Sequence, residues 1–132
     1  MTLAKLIPAA FALAALATAV PSPAAADAKG EAQLAKLLDG RVPGAPVHCL
    51  SRNERENMQV IDRTALVFRD GKTLYVNRPG GVNFLTWSDI PVFKIWGNEL
   101  CKMDIVHLHD RSTGMGGASM TMVAFIPYRH AH

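Results

Sequence analysis

His107 and His109 stand two residues apart in Ile105-Val106-His107-Leu108-His109-Asp110. On a β-strand that spacing sends both imidazoles to one face, while Val106 and Leu108 point to the other. Two neutral imidazoles on a shared face can bind Zn²⁺ or Cu²⁺ when a third donor converges, and Asp110 or His48 has the chemistry to supply it. The alternative is a half-buried strand whose solvated face simply carries histidines. His130 and His132 repeat the spacing at the C-terminus, where chains usually fray. Met120 and Met122 are also two apart, with Met115 just ahead of them. Thioethers suit Cu(I), and they equally suit flexible filling of a core.

Cys49 and Cys101 are the only cysteines. They lack CxxC spacing, so they read as a structural disulfide in preference to a reactive or metal-ligating pair. A disulfide asks for an oxidising compartment, and residues 1–26 read as a signal peptide that would deliver the chain to one. Met1 to Lys5 carries one positive charge, Leu6 to Val20 is apolar, and Pro21 and Pro23 precede Ala24-Ala25-Ala26. Small side chains at Ala24 and Ala26 suit signal peptidase, which predicts cleavage before Asp27. The apolar run falls short of the about 20 residues that span a bilayer, and no later segment is long and apolar enough. The mature chain is therefore expected to have no transmembrane segment and to reside in the periplasm or outside the cell. Closing the long loop between the cysteines contributes about 4 kcal/mol in the chain-entropy picture.

Other chemistry finds little support. No GxSxG elbow presents a serine nucleophile, and oxidised cysteines cannot serve as one. Thr113-Gly114-Met115-Gly116-Gly117 offers backbone N–H groups, but it precedes a strand and lacks the phosphate-loop lysine, so it reads as a hairpin loop. Glu54 and Glu56 lie in a charged turn, with no separation that would define an acid and base pair. The net charge of +3 comes from basic residues interleaved with acids, as in Arg52-Asn53-Glu54-Arg55-Glu56. A nucleic-acid binder would present a basic stripe instead. The expectation is a non-enzymatic protein with no cofactor and no nucleic-acid partner.

The elements that must position these residues change character at Gly40. Ahead of it, Leu34, Leu37 and Leu38 recur at helical spacing over Glu31 to Leu38, which predicts one short helix stopped by Gly40. Pro43, Gly44 and Pro46 then predict an extended linker, so residues 27–46 form a helix and linker. Strands are expected at Val47–Leu50, Met58–Ile61, Thr64–Arg69, Lys72–Asn77, Val92–Trp96, Ile105–His109 and Ala118–Tyr128. Asp70-Gly71 between two of them is the strongest hairpin signal in the chain. Residues 47–129 should thus form one mainly β domain of about six or seven short strands, a small barrel or sandwich with one disulfide. Residues 130–132 would be a tail.

Several segments together resemble a family of short exported bacterial proteins of unknown function. They are Pro46-Val47-His48-Cys49-Leu50, Val60 to Phe68, Thr73 to Pro79, Glu99 to Val106, and Phe125-Ile126-Pro127-Tyr128. The resemblance covers nearly all of the mature chain. It implies an envelope protein whose two cysteines belong to the pattern, and it transfers no catalytic or binding residue. His107, His109 and the Gly-rich loop lie outside that pattern.

Within it, Tyr75, Asn77 and Arg78 would form an aromatic and polar patch for a partner if they gathered near Trp87 or Trp96. Otherwise Asn77 and Arg78 satisfy loop carbonyls. The expected function is a small binding module for an envelope protein or a cell-wall component. Periplasmic Zn²⁺ or Cu²⁺ binding through His107 and His109 is the alternative.

Overall fold

The computed structural model describes residues 24–131, with side chains for residues 27–131. The predicted signal peptide lies, through residue 23, outside the described residues. Helix α1 runs Ala24–Leu37 and so begins well ahead of Glu31, because the alanines before Asp27 are strong helix formers. Asp27 sits in its first turn and Lys36 in its last, each favourable to the helix dipole. Gly30 and Leu34 are buried and Leu37 is partly buried, which makes one helical stripe.

Ten strands follow among the described residues: β1 (Arg41–Pro43), β2 (Cys49–Leu50), β3 (Asn57–Ile61), β4 (Ala65–Asp70), β5 (Thr73–Asn77), β6 (Asp89–Phe93), β7 (Leu100–Cys101), β8 (Ile105–Asp110), β9 (Gly116–Thr121) and β10 (Ile126–His130). They form a five-stranded sheet in the order β1-β10-β5-β4-β3, a three-stranded sheet β6-β8-β9, and a ribbon β2-β7, all antiparallel. The chain is mainly β, with one helix and a Cys49–Cys101 disulfide.

Residues 65–68 of β4 are buried without a break, as expected of a strand covered on both faces. Leu66 and Phe68 face inward to a cluster that includes Tyr75, Leu50 and Leu100 together with Val106, Leu108 and Met120 of the smaller sheet. Phe68 meets Phe125 edge-on at 5.8 Å between ring centroids, a favoured aromatic geometry. Ala65 and Val67 face the other way, with Ile61, Leu74 and Val76, and Leu34 of α1 packs on them. The architecture is therefore two packed sheets with a helix across part of the outer face of the larger one.

The β4–β5 hairpin turns through Gly71 and Lys72, with Asp70 opposite Thr73. Gly71 takes φ +56 while Lys72 does not join it at positive φ, so only the first loop residue needs the glycine, as in a type II′ turn. Gly30 answers a different need. A Cβ there would stand 1.9 Å from Thr64 Oγ1 and 2.7 Å from the Asp62 carbonyl, so the helix can dock on the β3–β4 turn only without one.

Some boundaries differ from those the sequence predicts. The predicted strand Ala118–Tyr128 is two strands in different sheets, because the chain leaves the smaller sheet after Thr121 and joins the larger one at Ile126. The predicted linker contains β1, whose Arg41 pairs with His130. His130 is thereby the end of β10 and not tail. Val92–Trp96 shifts to Asp89–Phe93, with Pro91 accommodated on an edge strand where one lost donor is tolerated. Leu100–Cys101 forms a strand that the sequence reading left in a connection.

Candidate functional site

The smaller sheet hides one face and leaves the other open. On β8, Val106 and Leu108 are buried, whereas Ile105, His107 and His109 face outward. Register fixes their neighbours. Val92 and Ser119 flank His107, and Ile90 and Gly116 flank His109. A bulge between these two positions, opposite the glycine-rich start of β9, lets the hairpin bend. The result is a strip of Ile90, Val92 and Ile105 that is 42%, 44% and 47% exposed beside two imidazoles. Beyond the end of β6, Lys94 donates its backbone N–H to the Ile105 carbonyl at 3.4 Å, and its ammonium lies 5.3 Å from the centroid of the Trp96 ring. Trp96 is itself 78% exposed.

The two histidines share a face, as their spacing predicts, and each Nδ1 is engaged. The His107 Nδ1 pairs with Ser119 Oγ at 2.9 Å, and the His109 Nδ1 donates to the Gly114 carbonyl at 3.3 Å. Asp110 does not converge on them among the described residues and is engaged in its own loop through one oxygen. Its Oδ1 accepts the Ser112 hydroxyl at 2.6 Å, the Thr113 and Ser112 backbone N–H groups, and the Thr113 hydroxyl. These donors, the Ser112 hydroxyl foremost, hold the carboxyl at about 2. Asp110 thus secures the turn that begins the Gly-rich loop. Among the described residues, the group of potential metal ligands that converges is Cys49, Cys101 and Glu99, and its sulfurs are joined in the disulfide.

Met120 and Met122 are buried in the core between the sheets, and Met115 is 70% exposed, so the three thioethers do not gather. Cys49 and Cys101 are directly opposite each other on the β2-β7 ribbon.

Tyr75, Asn77 and Arg78 are likewise not gathered into one exposed patch. Tyr75 packs in the inter-sheet core, and its hydroxyl donates to Glu54 Oε1 at 3.2 Å. Burial, and then the charge of Glu54, push the phenol pKa up. Asn77 is fully buried: its Nδ2 donates to the Val123 carbonyl at 2.7 Å and its Oδ1 accepts the Val123 N–H at 3.3 Å. Arg78 donates to both carboxylate oxygens of Glu31 on α1, which lowers the Glu31 pKa.

The outward aliphatic residues escaped the sequence reading because the predicted strand began at Val92 and left Ile90 in a loop. The signal was present in Ile90-Pro91-Val92, whose alternation places two aliphatic side chains on one face. Comparison with family models, curated proteins and solved structures finds no match for the chain.

Proposed function

We propose that the protein is an exported, non-enzymatic binding module whose partner is another protein, held on the outer face of the three-stranded sheet. The observation that supports this reading is the aligned strip Ile90, Val92 and Ile105, exposed beside His107, His109 and Lys94. Contiguous exposed apolar surface is costly in a lone soluble domain, and where it occurs it commonly marks an interface. An aliphatic face suits a protein surface better than a polysaccharide, which asks for many hydrogen-bonding groups. The outward positions of β6 and β8 carry no acid, and Lys94 adds a cation, so the partner should present an apolar surface edged with carboxylates. The signal-peptide pattern of residues 1–26 and the disulfide favour the periplasm or the extracellular space as the place of encounter.

The test is photo-crosslinking from position 92 of the full chain in intact cells, followed by purification of the captured protein and measurement of its affinity. Val92→Lys and Ile105→Lys should each weaken that affinity at least tenfold without moving the melting temperature. Unchanged affinity in both variants would remove the sheet face from consideration. Zn²⁺ or Cu²⁺ titration beside His107→Ala/His109→Ala separates the metal reading. Stoichiometric binding lost in the double variant would put metal handling first.

A further inference from the structure

The outer face of the larger sheet is only partly roofed by α1. Toward β10 the cover stops, and a groove of about 410 Å³ opens over the partly buried Ile126 and Tyr128, with Val123 beside them and the buried Val76 at its floor. Ile126 pairs directly with Val76, and Tyr128 lies two residues further along the same strand, so the three share one face. Two cations, Arg78 and Lys102, border this apolar surface.

Much of the groove's frame is fixed by contacts elsewhere. The buried Asn77 amide clamps both backbone groups of Val123, which sets one wall. Arg78 is held by Glu31 of α1. Lys102 lies in the turn after β7, where its backbone N–H donates to the His48 carbonyl at 2.7 Å. The adjoining Cys101 is tied to Cys49, and its N–H donates to Asp104 Oδ2 at 2.7 Å. The Val123 wall, Arg78 and the backbone at Lys102 are therefore held by the fold itself, which reduces the ordering cost of binding. Glu31 offsets the charge of Arg78, whereas Lys102 makes no ion pair among the described residues.

We infer that this groove binds a single-chain fatty acid of dodecanoate's size, its alkyl chain over Ile126, Tyr128 and Val123 and its carboxylate at Lys102. The lining is what such an amphiphile needs: an apolar bed with a net positive charge at one border. The volume falls in the lower part of the roughly 300–1,000 Å³ range of small-molecule sites, which suits one chain better than a two-chain lipid. The site is separate from the proposed protein-binding face, which belongs to the other sheet, so either reading can fail without the other.

The experiment titrates the full chain, disulfide formed, with dodecanoate, dodecanol, dodecyl phosphate and anionic phospholipid vesicles, using calorimetry. Dodecanoate should bind at one per chain and at least tenfold more tightly than dodecanol. Lys102→Glu should weaken it at least tenfold, and Lys102→Gln less, with melting temperatures unchanged. Lys94→Glu, which alters a cation by the smaller sheet, should leave it unaffected. Absence of saturable dodecanoate binding overturns the inference. So does equal affinity for dodecanol, equal loss in Lys94→Glu, tighter binding of dodecyl phosphate, or binding to vesicles alone.

Discussion

Val67, Leu74 and Val76 on the outer side of the larger sheet lie in the cluster with Leu34 of α1 and are 2%, 1% and 3% exposed. Ile90, Val92 and Ile105 on the outer side of the smaller sheet are similar side chains in similar strands, yet each is more than 40% exposed. The difference lies in what covers them. Beneath α1 the larger sheet commits its apolar residues to stability, whereas the smaller sheet displays Ile90, Val92 and Ile105 on its outer face. Burial of a Val or Leu side chain contributes about 1.5–3 kcal/mol, so aliphatic residues at open positions forgo a gain available elsewhere in the fold.

Substitutions on the two faces should separate cleanly. The largest effect belongs to Leu34→Ala, which empties the contact between helix and sheet and should cost about 2–5 kcal/mol in chemical denaturation. A cost like that of a surface change would mean that α1 is not required to cover the sheet. Gly30→Ala comes next. The clash with Thr64 and the Asp62 carbonyl should outweigh the helix propensity gained and destabilise by about 1–3 kcal/mol. Stabilisation by this alanine would show that the helix can shift on its seat. Ile105→Lys and Val92→Lys should change stability by less than about 0.5 kcal/mol, because those side chains are already hydrated.

The smallest effect concerns the β8–β9 hairpin, which has no helix over it and depends on Asp110. Its carboxyl sits at about 2 against an ordinary 3.8, so between these values the unfolded chain binds more protons than the folded one. The contribution is present above about pH 4 and is lost as pH falls toward 2. Asp110→Asn should remove that part of the acid dependence of melting. Carboxyl titration by NMR checks the cause directly, and an Asp110 midpoint near the ordinary value would separate the turn geometry from the acid response.

Much of this contrast was legible in the chain. Ala65-Leu66-Val67-Phe68 is apolar at every position and reads as a strand, and Asp70-Gly71 marks its hairpin, because these are local properties of side-chain period and backbone sterics. The same period put His107 and His109 together. What could not be read was which strand each segment would join. Residues 118–128 look like one continuous strand until pairing sends the two halves to different sheets, and the three residues of β1 have no pattern apart from their partner. Tyr75 and Asn77 likewise looked available for recognition, since only tertiary contacts show that Glu54 and Val123 already engage them. The groove at Lys102 joins residues from three separate stretches of chain, and no local period could have announced it.

The position of β10 has a consequence for the timing of folding. The last strand described is not an edge: it lies between β1 and β5, bonded to residues near the start of the domain on one side and to its middle on the other. A chain that emerges N-terminus first therefore cannot close its larger sheet until β10 is available. Until then β1 has no partner and β5 lacks one of its two. Loss of β10 would accordingly take out an interior strand and leave β1 and β5 without a shared neighbour.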